Sequence, residues 1–140
     1  AKVYGVDVGY GQVHDKIRRD ERVIVMEKTN LRSLTTLPEL VDLVTLDLSF
    51  ISISKVLPAV KNLLKPHGNV VALIKPQFEA GRYDVGKGGI IRDPEIHKAV
   101  VERVGNYFKN EGFEQLGLSE SPVLGTEGNK EFLGHFKRID

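Results

Sequence analysis

Polar residues follow four apolar segments of this chain, each near the point where the segment ends. The segments are VYGVDVG (3–9), RVIVMEKTN (22–30), LVDLVTLDLSF (40–50) and NVVALIK (69–75). The polar residues are, in chain order, Asp7, Glu27, Asn30, Asp47 and Lys75. Apolar runs of this length are typical of buried parallel strands, whose carboxyl ends meet at one edge of a sheet, where α/β proteins bind ligands. The pattern therefore predicts one site at this edge, although solvent contact alone also explains a polar residue at a strand end.

A lysine and two acids can form a cluster at this site. We expect Asp47 and Lys75 to end neighbouring strands, so that their side chains can meet above the sheet, and Glu131 begins the last apolar segment. Such a cluster can hold a hydroxyl group, assist its deprotonation and stabilise the developing oxyanion. Lys75 can serve as a base or as a fixed positive charge, and a purely structural ion pair is the third interpretation.

The earlier strands end in residues that suit a nucleoside. Asp7 can accept hydrogen bonds from the vicinal hydroxyls of a ribose, and Asn30 can contact the edge of an adenine. No GxGxxG joins a strand to a helix, and GKGG at 86–89 lacks both the spacing and the following Ser or Thr of a P-loop. A nicotinamide dehydrogenase and a P-loop enzyme are therefore disfavoured.

A glycine-rich segment, QFEAGRYDVGKGG (77–89), follows the Lys75 strand. Arg82, Lys87 and Arg92 give this region positive charge, and its glycines would let the backbone approach a polyanion. A solvated flexible loop is the alternative interpretation. The formal net charge of the whole chain is only +1, so any contact with phosphate must come from a local patch such as this one.

Length and composition exclude several other classes. The 140 residues suffice for one domain with a real core, and no apolar run approaches the roughly 20 residues of a membrane span. The chain has no cysteine, which excludes disulfides and thiolate metal sites and is compatible with a reducing compartment. The four histidines have no metal-ligand spacing, and we expect no metal site: His14, His67, His97 and His135.

Helices are predicted between the strands. Ser52 or Ser54 can cap a helix that ends at Lys65-Pro66-His67-Gly68, before a strand that begins at Asn69. Asp93-Pro94-Glu95 is a strong start for a second helix, which ends near Gly112. Segments 113–124 and 130–138 are interpreted as a closing hairpin. The order predicts a doubly wound α/β sheet.

Five sequence blocks resemble the hemolysin A (TlyA) family of ribosomal RNA methyltransferases, which belong with the FtsJ-like 2′-O-methyltransferases. The blocks are VDVGYGQ, DLSFIS, ALIKPQFEAGR, VGKGGIIRDP and EGNKEF, and the resemblance extends over essentially all 140 residues. It implies a Rossmann-like class I fold with helices on both faces of the sheet, S-adenosylmethionine as the cofactor and a cytoplasmic location. The implied substrate is a ribose 2′-hydroxyl of 16S or 23S RNA.

The resemblance also implies roles for individual residues. FtsJ-like enzymes use a Lys-Asp-Lys-Glu tetrad, and by motif Asp47, Lys75 and Glu131 supply three of its four members. The RNA contacts are not implied by motif; we expect Arg82, Lys87 and Arg92 to make them because these residues give the glycine-rich region its positive charge. The cofactor contacts implied by position are Asp7 with Val8, Asn30 with Leu31, and Asp47.

Three parts of the family pattern are not recognised in this sequence: an N-terminal S4-type RNA-binding domain, the first catalytic lysine, and a strand with the glycine-rich cofactor loop. In the family that strand lies between those formed here by VYGVDVG and LVDLVTLDLSF. We therefore expect a partial catalytic domain that binds the cofactor weakly and is inactive alone. The alternatives are an RNA- or ribosome-binding module without catalysis, and a hemolysin-like lytic protein. The lytic protein is disfavoured because no segment is a cationic amphipathic helix.

Overall fold

The computed structural model describes residues 1–7, 11, 14–81, 85–125 and 128–140 of the chain. Strands and helices alternate along these residues. In chain order they are β1 (Val3–Val6), α1 (Asp15–Arg18), β2 (Val23–Met26), β3 (Val41–Leu46), α2 (Ile53–Leu63), β4 (Leu64–Ile74), α3 (Pro76–Glu79), α4 (Pro94–Asn110), β5 (Phe113–Glu120) and β6 (Phe132–Arg138). The described connections include 3₁₀ turns at Leu31–Ser33 and Lys87–Gly89.

The described strands form two sheets. β1 and β2 pair in parallel, and the second sheet has the order β3-β4-β6-β5. β3 and β4 are parallel, whereas β6 is antiparallel to both β4 and β5. Within the described residues β1 and β3 each pair on one side only, so each has an open edge of unpaired backbone groups. These are the two strands between which the family resemblance implies a further strand.

The core lies between the four-stranded sheet and two helices, α2 and α4. Burial alternates along β4, which places Val70, Ala72 and Ile74 on the face that meets the helices. Phe108 of α4 stacks on Phe136 of β6, with ring centroids 3.7 Å apart. A side chain of this size contributes about 1.5–3 kcal/mol when it is fully buried, so these contacts fix the helices on the sheet.

The opposite face of this sheet is less covered by the described residues. Leu43 of β3 is 53% exposed, and Leu133 of β6 is 36% exposed. Leu133 pairs with half-buried Leu73 of β4, so apolar side chains continue across this face.

The predicted helix starts are confirmed, but the predicted start of β4 is wrong, and the hairpin strands are shorter than predicted because β5 ends at Glu120 and β6 begins at Phe132. Ser52, rather than Ser54, caps α2, and Asp93 caps α4 with Pro94 at its first position. β4 begins at Leu64 instead of Asn69, because Pro66 cannot continue a helix and a bulge in the pairing with β3 accommodates the extra residues. Arg138 donates to the carbonyl of Leu64 at 2.7 Å, which closes the end of α2.

Candidate active site

Three of the predicted site residues lie at one end of the four-stranded sheet. Asp47 follows β3 directly, and Lys75 follows β4 directly. Glu131 precedes β6, whose first residue, Phe132, pairs with Ile74 at the end of β4. The strand order therefore brings together side chains that are far apart in the sequence, as the strand-end pattern predicts.

Asp47 and Lys75 form an ion pair, with 2.7 Å between Lys75 Nζ and Asp47 Oδ1. The lysine side chain is only 13% exposed, whereas the aspartate side chain is 73% exposed. Lys75 Nζ also donates to Ser49 Oγ at 3.4 Å and lies 6.0 Å from the ring centroid of Phe78. A lysine whose side chain is mostly covered is therefore held beside a carboxylate that solvent and ligands can reach.

Glu131 is buried and is held on several sides. Its Oε2 accepts a hydrogen bond of 2.8 Å from Gln77 Nε2, and its backbone carbonyl accepts one from Ser121 N–H. The backbone of Gly125 lies so close to the carboxylate that any side chain at that position would collide with it. Within the described residues no ion pair joins Glu131 to Lys75. Glu131 is instead hydrogen-bonded to Gln77, which follows Lys75 by two residues in the sequence.

Asp7 and Asn30 lie together beyond the ends of β1 and β2. The Asp7 N–H donates to the Met26 carbonyl at 3.0 Å, and the Asp7 carbonyl accepts from Thr29 N–H at 2.9 Å. Asn30 Oδ1 accepts from Arg32 N–H at 3.0 Å and so caps the 3₁₀ turn that follows. The backbone of both residues is therefore fixed at the edge where a nucleoside was predicted.

Of the other two residues predicted to contact the cofactor, the structure describes only Leu31. Leu31 is half-buried and packs against the hydrophobic core, so its side chain has a structural role. Val8 lies outside the described residues.

The basic segment is anchored close to the start of β6. Asn129 Oδ1 accepts from Ile91 N–H at 2.9 Å, and Asn129 Nδ2 donates to the Gly89 carbonyl at 3.0 Å. A ring nitrogen of His97 bonds the Ile91 carbonyl at 2.9 Å. Asn129 is two residues from Glu131, so the segment that precedes Arg92 is held next to the candidate site.

Only one of the three predicted basic residues has a described side chain. Arg92 is exposed. Lys87 begins the 3₁₀ turn Lys87–Gly89, and its side chain is not described. Arg82 lies outside the described residues.

Sequence reasoning missed Ser49, Gln77, Glu79 and Asn129. Ser49 lies in the same block as Asp47, Gln77 and Glu79 lie in the block of Lys75, and Asn129 lies in that of Glu131. Their positions in these blocks indicated that they could belong to the site. The residues that they contact could not be predicted from sequence spacing. Glu79, for example, bonds Ser52, 27 residues away.

A groove of about 710 Å³ lies between α4 and β5 and is lined by residues such as Val101 and Phe113, not by the cluster at the strand ends. Among the described residues, no group of three or more His, Cys, Asp or Glu side chains is arranged to hold a metal ion. No helix in those residues is long and apolar enough to cross a membrane.

Known proteins match nearly the whole chain. The model of the FtsJ-like methyltransferase family matches residues 1–138. YqxC of Bacillus subtilis is 49% identical over 138 residues, which are 94% of this chain and 48% of that protein. The 16S/23S rRNA (cytidine-2′-O)-methyltransferase TlyA of Mycobacterium tuberculosis is 43% identical over 136 residues, 94% of this chain and 50% of that protein. Hemolysin A of Brachyspira hyodysenteriae is 39% identical over 138 residues, 96% of this chain and 58% of that protein.

Solved structures agree with this assignment. A Streptococcus thermophilus protein superposes with a TM-score of 0.96 at 44% identity, covering 99% of this chain and 51% of that chain. A SAM-dependent methyltransferase from Methanosarcina mazei has a TM-score of 0.66 at 16% identity, covering 99% of this chain and 82% of that chain, which confirms the Rossmann-like fold. This chain spans about half the length of YqxC and TlyA. Because the family model matches residues 1–138, the chain belongs to the FtsJ-like methyltransferase family.

Proposed function

We propose that this chain forms most of the catalytic domain of an enzyme that methylates a ribose 2′-hydroxyl of ribosomal RNA in the cytoplasm. The observation that carries the proposal is the ion pair between Lys75 and Asp47 at the ends of adjacent parallel strands, with buried Glu131 at the same end. Family membership and the similarity to TlyA support this reaction.

The residues at the ends of β1 and β2 fit S-adenosylmethionine, which supplies an electrophilic methyl group when bound. Asp7 would accept hydrogen bonds from the ribose hydroxyls of the cofactor. Asn30 Oδ1 already accepts the capping bond from Arg32, so Asn30 Nδ2 is the atom that would donate to an adenine nitrogen. Val8 and Leu31 would add backbone contacts, and Asp47 would lie between cofactor and substrate.

Lys75 and Asp47 would act on the substrate hydroxyl. The Lys75 ammonium would stabilise negative charge on the 2′-oxygen as its proton leaves. An ammonium already held in an ion pair suits this role better than that of a base. The exposed carboxylate of Asp47 would orient the hydroxyl and give its proton a path to water.

Glu131 would complete the cluster as a fixed negative charge. Its burial and its bond to Gln77 mean that it needs little rearrangement during the reaction. A carboxylate fixed in this way would orient the neighbouring groups, while Lys75 stabilises the charge on the 2′-oxygen.

The basic segment would contact the RNA backbone. Arg92 is exposed, and Asn129 holds the residues just before Arg92 near Glu131. Arg82 and Lys87 would add to the same positive surface. These cations would position a phosphate backbone without reading its sequence, so the choice of nucleotide must come from other contacts.

We further propose that a parallel strand from the complete protein pairs with the open edges of β1 and β3. Tyr4 of β1 donates to Glu39, just before β3, at 3.2 Å, so the two edges start close together. YqxC and TlyA are about twice as long as this chain, which leaves ample sequence for such a strand, the remaining lysine and an S4-type RNA-binding domain.

The direct test is transfer of label from S-adenosylmethionine to purified ribosomal subunits by the complete protein. We expect label in RNA with the wild type and none with Lys75→Ala. Equal label from both proteins would support the methyltransferase activity but contradict the proposed role of Lys75. No label from the wild type on either subunit or on free ribosomal RNA would contradict the proposed function.

A second candidate is an RNA- or ribosome-binding module without catalysis. The open edges of β1 and β3 favour it for the 140-residue chain by itself. Salt-sensitive retention of RNA by this chain, without stabilisation by S-adenosylmethionine, would indicate such a module.

A further inference from the structure

Two segments of the candidate site contact each other at three points. One is the loop that follows β3, residues 47–52, and the other is the turn that follows β4, residues 75–79. At the first point Lys75 contacts Asp47 and Ser49 of the loop. At the second point the ring of Phe78 lies against that of Phe50, with centroids 5.0 Å apart and planes tilted by 55°.

Phe50 has a backbone φ of 63°, in the left-handed region. A bulky residue rarely adopts this conformation, and it persists only where surrounding contacts hold it. Local backbone preference therefore does not hold the loop 47–52, and the Phe50 side chain, which is 90% exposed, contributes only its contact with Phe78.

The third point is the carboxylate of Glu79, which is 8% exposed. Its Oε1 accepts from Ser52 Oγ–H at 2.5 Å, and its Oε2 accepts from Ile53 N–H, the first residue of α2, at 2.8 Å. The Glu79 carbonyl accepts from Arg103 of α4 at 2.9 Å. Burial raises the pKa of Glu79, against the effect of its two hydrogen bonds. A buried acid in this position ties the end of the loop to the turn that begins at Lys75.

We propose that Glu79 is a positioning residue for methyl transfer: its bonds to Ser52 and Ile53 hold the loop 47–52 where Asp47 meets Lys75. This inference rests on the proposed function. Lys75 and Glu79 lie at opposite ends of one helical turn, so that turn contacts both ends of the loop. Loss of the Glu79 bonds would leave the loop fixed by β3 and the Phe50 contact, with Asp47 free to shift against Lys75.

The primary test is Glu79→Gln in the complete protein, with Glu114→Gln on exposed β5 as the matched control. A glutamine keeps the volume but presents an NH₂ group to one of the two donors. Since a displacement of about 1 Å can cost about a hundredfold in rate, we expect kcat to fall tenfold to a hundredfold. KM for RNA and Kd for S-adenosylmethionine should change less than about twofold, and the control should match the wild type. A change in KM alone would overturn the proposal.

A double-mutant cycle separates positioning from general stability. If Glu79 acts through Asp47, Glu79→Gln should add no further loss of kcat to that of Asp47→Ala, because the group it positions is already gone. Multiplied losses in the double variant would overturn the proposal. Should Glu79→Gln fail to fold, Ser52→Ala removes the bond to Glu79 together with the cap of α2, without altering the buried acid, and the same absence of further loss is expected.

A measurement that needs no methyl transfer distinguishes failure of this proposal from failure of the proposed function. The ammonium of Lys75 is held by Asp47 and Ser49, and its ¹⁵Nζ signal can be followed by NMR in the wild type and in Glu79→Gln. A shifted or lost signal, with the signals of distant lysines unchanged, would support the link from Glu79 to Lys75 even if the wild type transferred no methyl group. An unchanged signal would overturn it.

Discussion

At the scale of residues, the site depends on a difference between two charged groups that contact each other. Lys75 is 13% exposed and Asp47 is 73% exposed, although their charged atoms are 2.7 Å apart. Most of the lysine side chain is covered by protein, whereas the aspartate side chain is open to solvent and to ligands.

Glu131 gives a prediction at this scale. Any side chain at Gly125 would collide with the Glu131 carboxylate, so Gly125→Ala must displace it from Gln77. We expect a roughly tenfold loss of kcat, on the order of what one charged hydrogen bond is worth. Single-turnover methylation by the complete protein measures this. Gly117→Ala, where the added carbon would make an ordinary contact of 3.9 Å with His135, is the control, and an equal effect of both would contradict the prediction.

Acid stability is the second residue-scale prediction. The Gly11 N–H, with help from Arg18, lowers the pKa of Glu27. Because that pKa is depressed in the folded state, Glu27 contributes stability that is present above about pH 4.5 and is lost as the pH falls through the folded value. Burial raises the pKa of Glu79, so its effect on stability has the opposite pH dependence. The contribution of Glu79 is present below about pH 4.5 and is lost as the pH rises.

The corresponding measurement is Tm against pH from 3 to 7 for the complete protein and for Glu27→Gln. We expect the variant to be less stable at pH 7 and to lose less stability on acidification than the wild type. Parallel curves for the two proteins would show that the Glu27 interactions contribute nothing.

At the scale of elements, α2, α4 and the sheet hold the site together. Arg138 of β6 donates to the carbonyls of Lys61 and Leu64 at the end of α2, at 3.1 and 2.7 Å. We predict that Arg138→Met lowers the free energy of unfolding by about 1.5–3 kcal/mol, because a charged donor to two partly buried carbonyls is lost. Urea unfolding of the complete protein measures this. Arg22→Met, at a side chain that is 70% exposed, is the control and should leave the free energy of unfolding nearly unchanged.

The strands and helices could be predicted from the sequence, and so could contacts that follow from the order of the strands. Apolar runs located the strands, and the meeting of Asp47 with Lys75 followed from the ends of two neighbouring parallel strands. The contact of Glu79 with Ser52 could not be predicted, because it depends on the direction in which one turn of helix leaves β4. The early start of β4 at Leu64 was missed because it depends on a bulge in its pairing with β3.

At the scale of the whole molecule, the proposed additional strand predicts how the 140-residue chain behaves by itself. We predict that the 140-residue chain binds S-adenosylmethionine at least tenfold more weakly than the complete protein and self-associates through the open edges of β1 and β3. Calorimetry and sedimentation velocity measure these properties. A monomeric 140-residue chain with the same cofactor affinity as the complete protein would contradict the proposed additional strand.

Net charge gives the second prediction at this scale. The whole chain carries only +1, so RNA affinity must come from local cations. Arg92→Ala in the complete protein should weaken binding to RNA of any sequence and reduce the slope of log K against log salt by about 0.7–0.9. Filter binding at several salt concentrations measures the slope. An unchanged slope would show that Arg92 does not contact the RNA backbone.

The central claim is that the methyl group reaches a ribose oxygen under the control of Lys75. Nucleoside mass spectrometry of ribosomal RNA treated with the complete protein and with Lys75→Ala tests this most directly. The account predicts a 2′-O-methylated nucleoside with the wild type and none with the variant. A methyl group on a base, or a 2′-O-methylated nucleoside formed equally by both proteins, would contradict it.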